Sequence, residues 1–368
     1  MVKAGMMNTR MQDYLKRNGT WIGLLLLAIV VSILTEGSFL SPRNLTNLLR
    51  QASINGILAA GMTLVILTGG IDLSIGSLVA LAGVIVGISQ VHWGWSGSGF
   101  PGALGSVALA LAVGAVGGIV NGGLISLLRI APFVITLGMM VVARGLAMIF
   151  SNGSSISPMG EALAPIAEGY ATMPVTVVLV AMLAPMLFVP MRKKPLDAIF
   201  PALTFGLIVY AFTQYRGFPT LVLFLVGTLG LAAFLLGHTT FGRAVYAIGS
   251  NERAAFWAGI PVARVKWIVY GIMGLLSGLA GALLSARLNG ADPNAGQLFE
   301  LDAIAAVVIG GTSLKGGEGT ILGSFIGALM IATLNNGMDL LNVPSFYQMV
   351  LKGAIIIITV SLDKGQRQ

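Results

Sequence analysis

Gly102 to Leu128 reads GALGSVALALAVGAVGGIVNGGLISLL: no charge, and only Ser106, Asn121 and Ser126 as polar side chains. A hydrocarbon core about 30 Å thick is crossed by roughly 20 apolar residues in a helix, so this stretch alone can span a bilayer. Working outward from it, apolar runs recur at 20–35, 48–68, 73–90, 132–150, 174–190, 198–214, 219–237, 265–286, 300–311, 320–335 and 346–361. Backbone polar groups in lipid must be satisfied within the segment, which makes each run a helix. The expected fold class is all-α, a polytopic membrane helix bundle of about twelve spans (ten to twelve). Short runs such as 300–311, and glycine clusters that interrupt the pattern, predict that some of these helices are broken.

Composition agrees. The 368 residues are 56% hydrophobic and 9% charged, where a soluble domain carries roughly a quarter charged residues. The expected organisation is a cytoplasmic N-terminal segment over 1–19, one transmembrane domain over 20–361 with a cytoplasmic loop at 239–266, and a cytoplasmic tail over 362–368. No cleavage site follows the first apolar run, which reads as a retained helix. Fifty glycines suit helices that approach closely where lipid supplies no hydrophobic drive for contact. The absence of cysteine excludes disulfides and thiolate chemistry.

The net charge of +8 does not point to nucleic acid, because the basic residues are scattered between apolar runs instead of forming one face. They report orientation. Placing both ends in the cytoplasm puts fifteen lysines and arginines on cytoplasmic segments, among them Arg129, Arg192, Lys193, Lys194, Arg253 and Lys315. Only Arg43, Arg50, Arg216 and Arg287 fall outside, which is the bias short cytoplasmic loops show. The stretch from Ser151 to Met173 holds Glu161 and Glu168 but no lysine or arginine, as an external loop should.

Catalytic signatures are missing. There is no phosphate loop ending in Gly-Lys-Ser/Thr and no paired-histidine zinc helix, so neither a metal nor a nucleotide cofactor is expected on this chain. His92 lies beside Trp93 and Trp95 and reads as an interfacial anchor, and His238 borders a loop. Ionisable residues at membrane depth cost about 2.5 to 3.5 kcal/mol on insertion scales and need partners or water. Asp72, Arg144, Glu300, Asp302, Asp339 and Lys352 qualify. Asp72, next to Gly69 and Gly70, reads first as a cap for the following helix, with a place on the translocation pathway as the alternative. Glu300 and Asp302 open a short span, where they cap it or stand at the mouth of a pathway. Arg144 and Lys352 either pair with acids across helices or, by default, snorkel to the nearest interface. Gly69 to Gly76 echoes Gly310 to Gly317 in its glycine and leucine offsets, a parallel repeat if not a chance match.

Thr239 to Lys266 stands apart as a long polar segment between strong spans. It reads as a short amphipathic helix with Asn251, Glu252 and Arg253 ahead of a small and aromatic face, Ala254 to Gly259. Such a helix either docks in a groove on a soluble partner or lies on the membrane with Trp257 in the headgroups. Under the docking reading, Gly259→Leu blocks assembly by overpacking.

Taken together these segments resemble the ribose/xylose/arabinose class of ATP-binding-cassette permeases, most closely the xylose type. The resemblance rests on Ser41 to Gly56, on Gly61 to Gly76 with Ile71-Asp72-Leu73-Ser74, on Tyr246 to Glu252, on Glu300 to Leu314 and on Leu334 to Met338. It implies a bacterial inner-membrane permease passing a monosaccharide, xylose or another pentose. Its implied partners are cytoplasmic ATPase subunits that hold the ATP, an external sugar-binding protein, and a second permease subunit, a homodimer if identical. Ala254-Ala255-Phe256-Trp257-Ala258-Gly259 matches the loop through which such permeases touch their ATPases, with Arg253 where an acid is customary and Glu252 one place earlier. The segments flanking Arg192 to Lys194 match the longer, xylose-type pattern. Twelve spans with inside termini also suit an ion-coupled secondary transporter, but no intramembrane carboxylate–histidine chain supports that reading.

Overall fold

The computed structural model describes residues 2–188 and 198–365. Its helices are α1 (Val2–Leu34), α2 (Pro42–Leu67), α3 (Ile75–Gly87, continued by a π-helical turn at Ile88–His92), α4 (Phe100–Leu128), α5 (Pro132–Ser151), α6 (Ala164–Glu168), α7 (Met173–Phe188) and α8 (Ile199–Gln214). They continue as α9 (Thr220–His238), α10 (Thr240–Ser250), α11 (Glu252–Trp257), α12 (Val262–Leu288), α13 (Phe299–Ile309), α14 (Ile321–Leu340) and α15 (Ser345–Gly365). Every apolar run read from the sequence falls on one of these helices, as an all-α membrane bundle requires. Seven helices among the described residues are long and apolar enough to cross a membrane, and Asn18–Leu34 and Ile199–Gln214 are shorter apolar ones. Arg192, Lys193 and Lys194 lie outside the described residues.

At the centre stands α2, buried along nearly its whole length from Leu45 to Leu67. Ser41 caps its start by accepting from the Asn44 N–H, and Pro42 sits at its first position, where no intrahelical N–H is needed. Leu64, Val65 and Ile66 of α2 pack in one core with Val79 of α3, Val269 and Met273 of α12, Ala306 of α13 and Ile331 of α14. Large apolar side chains of α4, α5 and α9, such as Leu104, Val141 and Leu231, face outward, which fits a lipid solvent. α4 and α12 meet through Gly114 and Gly118 on one side and Gly274 and Gly278 on the other. A methyl group at any of the four would strike the opposite backbone, the small-xxx-small packing that membrane helices use.

α2 and α13 both stop at left-handed glycines. Gly69 (φ +77°) ends α2 and Gly311 (φ +86°) ends α13. The N–H groups of Gly69 and Gly70 donate to Ile66 and Val65, and those of Gly311 and Thr312 to Val308 and Val307. Both are the same C-terminal motif. Its structural register pairs Gly69 with Gly311, whereas the sequence echo pairs Gly69 with Gly310. That shift by one residue breaks the echo as a position-by-position repeat; what the two sites share is the cap.

α13 has eleven residues, roughly 16 Å at 1.5 Å per residue, half of what a span needs. The chain reaches its start through an irregular segment after Leu288 that returns into the molecule, where the Gly296 backbone lies against Gly76 at the start of α3. Irregular backbone at this depth needs partners. Arg144 of α5 supplies them, its Nη1 donating to the carbonyls of Pro293 and of Ala295, the latter at 2.9 Å. Lys352 of α15 donates to Asp302 Oδ2 of α13 at 3.0 Å. Neither cation takes the default of snorkelling: Lys352 pairs with an acid across helices, the other expectation, and Arg144 finds backbone carbonyls instead of an acid.

Candidate coupling and translocation sites

The segment after α9 is two helices, not the single one expected. Thr239 caps α10 by accepting from Gly242 N–H at 3.1 Å, and Val245 and Ile248 bury one face of that helix. At Asn251 the chain becomes extended (φ −160°, ψ 101°) and the Asn251 side chain caps α11, accepting from Ala254 N–H at 2.9 Å. An asparagine between helical stretches is a strong N-cap signal and marks this break in the sequence. Ala255 is buried, Ala254 is exposed, and Gly259 (φ +82°) closes the helix in the left-handed conformation. The small residues therefore do not form one docking face. What α11 presents outward is Phe256, 65% exposed, and Trp257, 84% exposed. Glu252 is held by Lys266 of α12 at 2.8 Å, and Arg253 is exposed beside it. α11, the start of α12 and the α4–α5 turn around Arg129 enclose a groove of about 920 Å³.

α10 is seated on both helix ends. Gly249 lies so close to the Leu67 carbonyl and the Gly317 N–H that no side chain fits there. Gly317 N–H donates to the Leu67 carbonyl at 3.0 Å, and Tyr246 Oη donates to the Gly319 carbonyl at 2.9 Å. The last turn of α10, the end of α2 and the 310–319 loop thus share one contact point.

Behind it, Asp72 is fully buried. Its Oδ1 accepts from Ser74 N–H at 2.8 Å and Ser74 Oγ at 2.6 Å, and Asn121 Nδ2 donates to the same Ser74 Oγ at 2.9 Å. Asp72 holds the residue in the N-cap position of α3 and not the amides of the first turn, so it fixes the break more than it caps the helix. Glu300 and Asp302 both lie in the first turn of α13, as expected. There Glu300 abuts Gly76 and Asp302 is taken by Lys352.

The opposite end of the molecule gathers the arginines expected outside. Arg50 donates to the Ala167 carbonyl at 3.1 Å and stands 3.7 Å from Glu168, and Arg50 and Arg216 both lie over the Tyr170 ring. Here Asn44 and Asn336 exchange hydrogen bonds of 2.8 and 3.0 Å, joining α2 to α14. A cavity of about 440 Å³ opens beside them, with Arg287 in its wall. The sequence reading passed over these residues as site candidates, although two of the motif blocks contain Asn44, Arg50 and Asn336.

The family described as branched-chain amino acid transport system / permease component matches residues 44–360, which include both ends of this arrangement. The ribose import permease protein of Bacillus subtilis (strain 168) is 43% identical over 350 residues, 95% of this chain and 93% of its own length. The xylose transport system permease protein of Haemophilus influenzae is 40% identical, covering 95% of this chain and 96% of its own length. The ribose import permease protein of Escherichia coli (strain K12) is 41% identical over 96% and 95%. No solved structure matches the chain. A match across nearly the whole chain, on a bundle with seven helices among the described residues long and apolar enough to cross a membrane, leaves one assignment: the chain is a multi-pass membrane protein of the branched-chain amino acid transport system / permease component family, in its ribose and xylose permease class.

Proposed function

We propose that this chain forms the translocation pathway of an ATP-driven, binding-protein-dependent importer of a monosaccharide, a pentose such as xylose or ribose. The relatives are ribose and xylose permeases, which supports the cargo and speaks against an ion-coupled carrier. The carrying observation is the seat of α10 on Leu67 and Gly317, because it joins an exposed helix to both helix breaks without an intervening flexible loop. In this reading α11 docks into a cleft of a separate ATPase subunit. Trp257 and Phe256 are its anchors, Asn251 fixes its start, Glu252 and Arg253 flank it, Ala255 packs it onto the bundle, and Ala254 and Gly259 stay exposed beside the anchors. Asp72, Glu300 and Asp302 hold the two breaks that line the pathway. No cofactor is assigned to this chain, and ATP sits on the partner.

The α11 end then faces the cytoplasm of a bacterial inner membrane together with both termini, and the Arg50–Tyr170 end meets an external sugar-binding protein. A second permease subunit, a copy of this chain, completes the assembly. Single cysteines enter a cysteine-free chain cleanly, so an impermeant maleimide reads the orientation. Glu161→Cys, at an exposed position, is expected to label from outside and Ala254→Cys only after permeabilisation. The reverse pattern would sink this orientation.

Docking is tested at Trp257 in preference to Gly259. Leucine at Gly259 would strain a left-handed backbone whether or not anything docks there, so its failure would not isolate docking. Trp257→Ala leaves the backbone free. A buried interface tryptophan typically carries 2 kcal/mol or more, about a 30-fold loss of affinity. ATPase recovered with the purified variant should fall accordingly, uptake should fail, and the melting temperature should not move. Equal recovery with normal uptake would leave α11 a membrane-surface helix.

A further inference from the structure

We propose that the cavity between the start of α2 and the ends of α12 and α14 is a reception subsite for a free monosaccharide, built within one subunit. The inference rests on the import reading above and adds to it a place where the sugar is held before the breaks open. The cavity lies at the far end of α2 from the α10 seat. From Gln51 to Leu67 is sixteen residues, roughly 24 Å along the helix axis.

Its volume of about 440 Å³ is within the range of small-molecule sites. Which ligand it suits follows from which of its polar groups are already spent. Asp339 accepts from Gln348 at 3.0 Å, and Glu168 faces Arg50. Asn44 and Asn336 are paired to one another. Among the described residues, Asn47, Gln51 and Arg287 have no side-chain hydrogen-bond partner, and all three line the cavity. Arg50 contributes an Nε–H that is buried with no partner. A buried donor without an acceptor in the wall of a cavity calls for a missing oxygen.

The unspent set is therefore two carboxamides and two guanidinium edges, beside two acids that keep acceptor capacity, Asp339 with a single amide hydrogen bond and Glu168 at 3.7 Å from Arg50. A carboxamide offers a donor and an acceptor, the pairing a hydroxyl needs on both its hydrogen and its lone pairs. A free amino acid is served poorly. The branched side chain of such a ligand would meet only Leu288 and Leu340 among the lining residues. The cavity thus suits a polyhydroxylated ligand better than a branched apolar one, although the family's description names amino acids.

Asn47→Cys puts one thiol in the cavity wall of a chain that has none. The purified permease–ATPase complex would be labelled with a maleimide in the presence of xylose, ribose or leucine, with Glu161→Cys as a control outside the cavity. Either pentose is expected to slow labelling at Asn47→Cys several-fold in a saturable manner, to leave the Glu161→Cys rate unchanged, and leucine to have no effect. An Asn47→Cys rate unaffected by either pentose overturns the subsite. If wild-type vesicles still take up pentose in that case, the import reading survives alone; if they do not, that reading has failed on its own account. Protection by leucine and not by pentose would overturn the assignment to sugars.

Discussion

Gly249→Ala is expected to abolish most uptake while the chain remains inserted and folded. Gly249 has ordinary helical geometry, so alanine is tolerated by the local backbone and the whole cost is contact. The added methyl would overlap the Leu67 carbonyl and the Gly317 N–H, both of them backbone groups that cannot rotate away. Overpacking of this kind costs about 1 to 3 kcal/mol, a factor of roughly 5 to 150 in the population of the seated state. Radiolabelled pentose uptake into vesicles carrying the assembled complex should fall in that range. Gly230→Ala on α9, where nothing lies within 4 Å of the new methyl, serves as the control and should transport normally. Wild-type uptake by Gly249→Ala would mean that the seat of α10 plays no part in opening the pathway.

Lys352→Met should be the most destabilising of the single changes considered. The Asp302 side chain is only 5% exposed and Lys352 supplies its cation at 3.0 Å. Removing one partner of a buried ion pair leaves an uncompensated charge and typically costs about 3 to 5 kcal/mol, whereas replacing both can be nearly neutral. The melting temperature of the detergent-solubilised subunit should therefore drop sharply in Lys352→Met and recover in Lys352→Met with Asp302→Leu. Equal and small shifts in the single and double variants would show that the pair is solvated and that α15 is held to α13 by apolar contact alone.

The spans were legible because the bilayer sets their length: Gly102 to Leu128 can hardly be anything but a membrane helix, and α4 covers it. Partnership was not legible. Lys352 and Asp302 are fifty positions apart and Asn44 and Asn336 are 292 apart, and nothing local in the chain says that they meet. Lacking that, a cation in a span reads by default as one that snorkels. Gly69 and Gly310 misled for the opposite reason, since glycine is so frequent here that a matching offset carries little information. The Asn251 break was available, because asparagine followed by glutamate is a helix start, but it lay within a stretch whose small residues suggested one continuous face.

The glycine seam between α4 and α12 bears on timing. With Gly114 and Gly118 pressed against Gly274 and Gly278, the two helices cannot slide or part without losing close backbone contact along the middle of the bundle. α12 begins a few residues after Trp257 and ends beside the outer cavity at Leu288. Stiffened in this way it is a rocker: a tilt imposed at one tip must reappear with opposite sense at the other. In the proposed importer such a part would tie inward release to outward closure, so that the two ends of the pathway would not stand open together.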